Sequence, residues 1–185
     1  MIFTETAVRG AYVLDLERRS DTRGFFARAW CAKEFEAHGL TPRLAQVNVS
    51  ANVRKGTLRG MHYQRPPHRE AKVVSCIRGA IYDVVLDLRR VSPTYLRWAA
   101  AELTAESHRM LYVPEGCAHG FQTLMDGAEV LYLMSEFYAP GHAAGVRYDD
   151  PAFAIEWPLP VACISDADRA WPDYVSRPDL RKVQP

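Results

Sequence analysis

Between Gly56 and Lys72 the chain reads Gly-Thr-Leu-Arg-Gly-Met-His-Tyr-Gln-Arg-Pro-Pro-His-Arg-Glu-Ala-Lys. Arg59, His62, Gln64, His68, Arg69, Glu70 and Lys72 therefore crowd into one short stretch. A base, cations and an amide carried on adjacent strands of a barrel would make a polar pocket. The plain alternative is a solvated hairpin with ordinary surface charges. A second constellation, Pro114-Glu115-Gly116-Cys117-Ala118-His119-Gly120-Phe121, uses a Pro/Gly turn to present His119 at the start of a strand. Tyr132, in an otherwise apolar strand, and Ser165-Asp166-Ala167-Asp168 are the remaining pieces. Each has a structural reading when taken singly. Tyr132 would be a core tyrosine with a satisfied hydroxyl, Asp168 a helix cap or surface carboxylate, and His119 a packed histidine. Cys117 stands two residues before His119, which invites a nucleophile reading.

The elements that must position these residues are mostly strands. Period-two patterning with turn signals predicts strands near 44–52, 57–64, 71–78, 80–88, 96–103, 108–113, 118–124 and 128–137. Within 57–64, alternation sends Leu58, Gly60, His62 and Gln64 to one face and Arg59, Met61 and Tyr63 to the other. Pro66-Pro67 breaks that strand, and the next begins near Ala71. Gly79 and Asp126-Gly127 suit tight turns. Toward the N-terminus, Ile2-Phe3 and Ala11 to Leu16 read as extended, Ser20 to Gly24 as a turn, and Phe25 to Trp30 as a resumed strand. Cys31 to His38 reads as a helix capped by Gly39. Many short strands with regular turns point to a sandwich or barrel. From Ala139 on, a Pro-, Asp- and Gly-rich tail with apolar islands is expected to wrap over it, with a helical turn near Asp166 to Ala170.

Composition narrows the class. A chain of 185 residues, 48% of them hydrophobic, suits one domain with a sizeable core. The net charge of +1 gives no reason to expect a nucleic-acid or membrane-surface partner. No apolar run reaches the length of a membrane span. The first residues lack the pattern of a signal peptide, so the cytoplasm is the expected location. Cys31, Cys76, Cys117 and Cys163 form no Cys-x-x-Cys pair, so free thiols are expected in place of a zinc site or disulfides.

Taken in order, several segments resemble the dTDP-4-dehydrorhamnose 3,5-epimerase family. They are Asp21 to Phe26, Arg59 to Gln64 with Lys72, Asp83 to Arg89 with Ser92-Pro93-Thr94, Pro114 to Phe121, Tyr132, Tyr138-Ala139-Pro140, Asp149-Asp150-Pro151, Ile155 and Trp157-Pro158. The resemblance runs from about residue 2 to residue 174. It implies an all-β, cupin-type jelly-roll barrel with a few short helices. It implies one domain over 1–185, acting as a homodimer with exchanged N-terminal strands and with a C-terminal segment from about 139 to 185 wrapping the barrel. The implied substrate is a nucleotide diphosphate joined to a 4-keto-6-deoxyhexose, turned over without a metal or other cofactor.

Carbons 3 and 5 of such a sugar both flank the C4 ketone. Removing a proton there gives an enolate, and reprotonation on the other face inverts the centre. On this resemblance His62 is the base, and Asp168 fixes its tautomer. Lys72 stabilises the enolate oxygen, and Tyr132 is the acid on the opposite face. Arg23 and Arg59 match phosphate-binding positions. Gln46 and Asn48 share a strand face toward the nucleotide, and His119 and Tyr138 line the sugar end. Arg28, Cys117, Leu133 and Ala167 depart from the family pattern. They leave open the identity of the nucleotide, thymidine, cytidine or another, and whether C3, C5 or both are inverted.

Three alternatives stand beside this isomerase. A single-site 3- or 5-epimerase on a dTDP- or CDP-sugar would use the same acid and base. A metal-dependent cupin could draft His62, Glu70 and His119 as ligands, although Gln64 stands where a second histidine would be favoured. A sugar-nucleotide-binding barrel could keep the pocket without turnover.

Overall fold

The computed structural model describes residues 1–174. The N-terminal region holds β1 (Ile2–Glu5), β2 (Tyr12–Asp15), β3 (Arg19–Asp21), β4 (Gly24–Phe26) and α1 (Ala32–Ala37). The central strands are β5 (Gln46–Asn52), β6 (Leu58–Gln64), β7 (Lys72–Arg78) and β8 (Ala80–Asp87). They continue as β9 (Trp98–Thr104), β10 (Met110–Val113), β11 (Cys117–Thr123) and β12 (Ala128–Met134). A 3-10 turn at Pro140–His142, β13 (Ala143–Gly145) and α2 (Asp166–Arg169) follow. All eight strands expected between residues 44 and 137 form, with ends within about three residues of those read from the pattern, the scatter usual for element boundaries.

The strands close into two antiparallel sheets. One has the order β1-β2-β10-β7-β12-β5, the other β13-β6-β11-β8-β9. This is the all-β jelly-roll barrel expected from the resemblance, with two short helices among the described residues. Between the sheets lie Val74, Cys76, Ile81, Val85, Leu111, Val113, Phe121 and Val130. The outer face of the second sheet is covered by the chain after residue 145, through Val146, Phe153, Ile155, Trp157 and Tyr174. β8 is thus covered on both faces, which explains its nearly unbroken apolar run. On the first sheet α1 lays Phe35 against Leu14, Val73 and Tyr112. Burying a ring of that size contributes about 1.5–3 kcal/mol. Residues 175–185, the end of the expected wrapping segment, lie outside the described residues.

Two expectations need correction. The strand anticipated from Phe25 to Trp30 stops at Phe26. β4 pairs with β3 alone, as a two-stranded ribbon with exposed residues, and a ribbon of that size is marginal in water. Past it, Arg28 turns to an ion pair with Glu34. The strict alternation along β6 also fails. His119 faces His62 across the β6–β11 ladder, but Phe121 faces Arg59, so one extra residue is inserted in β6. Gly60 sits at this bulge with φ 130°, and a side chain there would collide with Gly120 Cα. The bulge resets the phase, so Arg59 and His62 border the same cavity instead of opposite faces.

Candidate active site

His62 lies near the middle of the second sheet. Its backbone faces His119 of β11 on one side and Gly145 of β13 on the other. Its Nε2 donates to Asp168 Oδ1 over 2.6 Å, across 106 residues of sequence. The imidazole remains 46% exposed, whereas the Asp168 side chain is buried. Asp168 is positioned by α2, where Ser165 Oγ caps the helix by accepting from Asp168 N–H at 3.1 Å. Gly60 N–H donates to Asp168 Oδ2 at 3.3 Å. Burial pushes the Asp168 carboxyl up, but the hydrogen bonds from His62 and Gly60 outweigh it and hold the group below the usual range. An ionised carboxylate on one ring nitrogen leaves the other with a lone pair toward the cavity, the form a general base requires.

Lys72 opens β7 immediately after the Pro66-Pro67 turn. Its ammonium is buried, 3.0 Å from Glu70 Oε1, and donates to His62 O at 3.3 Å. Gln64 pins the rim of the cavity. Its Nε2 donates to the carbonyls of His68 and Phe137, and its Oε1 accepts from Ala139 N–H. A cavity of about 620 Å³ joins His62, Lys72 and Asp168 to Gln46, Asn48 and Tyr138. Gln46 Nε2 donates to Asn48 Oδ1 at 3.2 Å and its Oε1 accepts from Tyr138 N–H at 2.9 Å, so the three form one wall. A second cavity of about 360 Å³, on the Arg59 side, shares His62 and Asp168. There Arg59 Nε donates to Asn52 Oδ1 at 2.7 Å.

A second histidine–aspartate pair lies deeper. His119 Nε2 donates to Asp83 Oδ1 at 2.7 Å, and both side chains are buried. The His119 ring meets Tyr132 edge-to-face, with centroids 6.0 Å apart. Burial pushes the Asp83 carboxyl above its usual range despite the opposing charges of His119 and Lys72. Burial and then the Asp83 charge push the Tyr132 phenol well above its ordinary value, so it stays protonated. Asp83, to which the sequence reading gave no role, thus joins His119 and Tyr132 behind the site, and none of the three lines either His62 cavity. A usable signal was present, because Asp83 is a carboxylate two residues from Val85 on the core-facing side of an apolar strand. Trp171, which also borders the larger cavity, was missed because no periodicity marks it.

Not every candidate converges here. Arg23 sits at the tip of the β3–β4 hairpin, 87% exposed and paired with Asp21, and borders neither His62 cavity. Another cavity, of about 330 Å³, lies by the N-terminus and Arg28 and contains none of the proposed catalytic residues. The Cys117 thiol is sealed beside Asp87, with burial pushing it up to about 12, so it is not a nucleophile at neutral pH. The three residues that could have made a metal set have other partners: His62 has Asp168, Glu70 has Lys72 and His119 has Asp83. Among the described residues no group of three or more His, Cys, Asp and Glu side chains is arranged to hold an ion. No helix among them is long and apolar enough to cross a membrane.

Residues 5–175 match the family described as dTDP-4-dehydrorhamnose 3,5-epimerase. The enzyme of that name from Methanothermobacter thermautotrophicus is 41% identical over 172 residues, covering 91% of this chain and 92% of the relative. A dTDP-4-dehydrorhamnose 3-epimerase from Streptomyces niveus is 42% identical over 163 residues, covering 88% and 78%. The crystal structure of the 3,5-epimerase from Bacillus anthracis, with TDP and PPi bound, superposes with a TM-score of 0.88 at 40% identity. That match covers 93% of this chain and 98% of the other.

Proposed function

This chain belongs to the dTDP-4-dehydrorhamnose 3,5-epimerase family, and from that premise we propose that His62, Asp168, Lys72 and Tyr132 carry its proton transfers. It is an isomerase of deoxysugar biosynthesis, acting on a nucleotide-diphospho-4-keto-6-deoxyhexose. The observation that carries the assignment is the 2.6 Å His62–Asp168 bond in the wall of a cavity that also holds the buried Lys72 ammonium.

His62 removes the proton from a carbon next to the C4 ketone, and the electron pair moves onto the ketone oxygen. Lys72 stabilises that oxygen's charge. A buried ammonium is worth more there than in water, because the surroundings screen it less. Tyr132 then donates its phenolic proton to the same carbon from the other face. Burial keeps this phenol protonated until a centre as basic as the enolate forms. His62 loses its proton to solvent and Tyr132 regains one, so each turnover draws hydrogen from water.

Arg59, Gln46, Asn48, Tyr138 and His119 are the substrate-binding residues of this reading. Arg59 reaches the diphosphate, Gln46 and Asn48 the nucleotide, and His119 and Tyr138 stand at the sugar end, and a relative from Bacillus anthracis binds TDP and PPi. Arg23 fits through a homodimer of single-domain chains in which an N-terminal segment reaches the partner's cavity. Among these N-terminal strands β3 and β4 pair only with each other, whereas β1 and β2 join β10, which supports the β3–β4 hairpin as the part that reaches across. Its exposed Phe25 and Phe26, with Val47 and Val49 exposed on the first sheet, support a covered face. We place the enzyme in the cytoplasm, where its four unpaired cysteines would remain reduced.

Proton NMR of dTDP-4-keto-6-deoxyglucose incubated in deuterium oxide tests the reading. Deuterium at C3 and C5, lost with His62→Asn, is the expected result. Tyr132→Phe should keep some exchange but lose inversion. Deuterium at one carbon would establish a single-site epimerase, the second reading, which the 42% identical 3-epimerase of Streptomyces niveus favours. No exchange with thymidine-, cytidine- or guanosine-linked sugars would overturn the catalytic claim for these substrates.

A further inference from the structure

α2 is a single turn of four residues, Asp166–Arg169, yet it carries the carboxylate that holds His62. One helical turn does not stabilise itself in water, because nucleation costs more than its few hydrogen bonds return. Its geometry must be fixed from outside. Upstream, Cys163 O accepts from Leu58 N–H at 2.8 Å, and Ser165 caps the turn. Downstream, within two residues of the helix, stands Trp171.

Trp171 packs on Gly145. A methyl group built on Gly145 would fall 2.5 Å from Trp171 Cε2 and 2.9 Å from Met61 O. Gly145 does not have the positive φ that would call for glycine on conformational grounds. The missing side chain therefore supplies room, and the indole occupies it. Gly145 is also the register partner of His62 across the β13–β6 ladder. One end of the α2 segment is thus seated on the residue beside the base, and its middle delivers the carboxylate to the base. Ala143, Ala144 and Ala167, all small, border the same cavity as the indole.

We propose that Trp171 is a positioning residue, whose packing on Gly145 sets the placement of Asp168 against His62. The inference rests on the assignment of His62 and Asp168 made above. Loss of the indole lets α2 drift, the imidazole loses its orienting carboxylate for part of the time, and the rate falls while the wall of Gln46, Asn48 and Tyr138 stays in place. A misplacement on the order of 1 Å can cost up to about 100-fold in rate.

The test is steady-state kinetics of Trp171→Ala and Trp171→Phe, each in the wild-type and Asp168→Asn backgrounds, with dTDP affinity measured by calorimetry. Trp171→Ala should lower kcat by about 10- to 100-fold with dTDP affinity within about twofold of wild type. Trp171→Phe, which still fills the seat, should recover most of it. In the Asp168→Asn background Trp171→Ala should cost less than about twofold, because the group it positions is already gone. Gly145→Ala, which closes the seat, should mimic Trp171→Ala if it folds. The proposal is overturned if Trp171→Ala leaves kcat unchanged, if it raises KM alone, or if it costs the same factor in both backgrounds. A wild-type enzyme that exchanges no deuterium would overturn the functional reading instead, so the two failures are told apart.

Discussion

Two histidine–aspartate pairs flank one ladder, His62 with Asp168 and His119 with Asp83, and the histidines face each other across it. The donor–acceptor distances, 2.6 and 2.7 Å, hardly differ. The carboxyl groups nevertheless shift in opposite directions. Asp168 accepts a second hydrogen bond, from Gly60, and is held low, while Asp83 is wholly buried and is pushed up. No hydrogen bond among the described residues reaches Asp83 Oδ2. Solvation and the count of donors, more than separation, decide what such a pair can do. The open pair can exchange a proton with a substrate. The sealed pair places negative charge near Tyr132 and helps keep that phenol protonated. Asp87, four residues from Asp83 on β8, gives a third outcome. It accepts from Arg89, Ser92 and Thr94, which together outweigh its burial and hold it at about 2.

The largest effect should separate the histidines. His62→Ala should cut epimerisation by about 10²–10⁴-fold, the range for a positioned acid or base. His119→Ala should cost less, and the opposite ranking in a rate assay would break the comparison.

Asp87→Asn tests the structural end. A carboxylate held at about 2 in place of an ordinary value near 3.8 corresponds to about 2 kcal/mol of stability. Its folded value is depressed, so that stability is present above about pH 4 and lost as pH falls through about 2. Denaturant unfolding at pH 7 should show the full loss in the variant, with activity per folded molecule unchanged.

Asp83→Asn should do the reverse. Its folded value is raised, so the folded state binds the extra proton and stability rises as pH falls from the folded value toward the unfolded one. Asparagine mimics the protonated form. The variant should melt no lower than wild type at neutral pH, yet lose about tenfold in rate, below the range for removing the acid or base itself. A large fall in Tm would mean that Asp83 is structural, like Asp87.

Cys117→Ala should have the smallest effect on rate, less than about twofold, because a thiol pushed up to about 12 is not ionised at neutral pH. Loss of activity on this change would return the cysteine to the mechanism.

Local rules carried much of this molecule. Alternation and turn residues placed the eight central strands, with Gly79 at φ 74° and Gly127 at φ 67° in the turns expected of them. The short helix at Ala32–Ala37 was also legible, from the cap glycine after it, and a helical turn was expected where Asp166–Arg169 forms one, although its cap is Ser165 and not Asp168. β13 was not, because three small residues, Ala-Ala-Gly, carry no alternating pattern and become a strand through pairing with β6. The failed Phe25–Trp30 strand shows the converse, pattern without a partner.

The sequence by itself determined which side chains were available for chemistry and which short segments would be extended, since both depend on neighbours within a few residues. Closure of the barrel decided the rest. The bulge at Gly60, which brings Arg59 and His62 to one cavity, arises from close contact with Gly120 on another strand. The His62–Asp168 bond spans 106 residues, and the charge of Asp83 acts because two sheets exclude water around it. Period and propensity are properties of a strand, whereas burial, register and electrostatic coupling exist only once the strands have met.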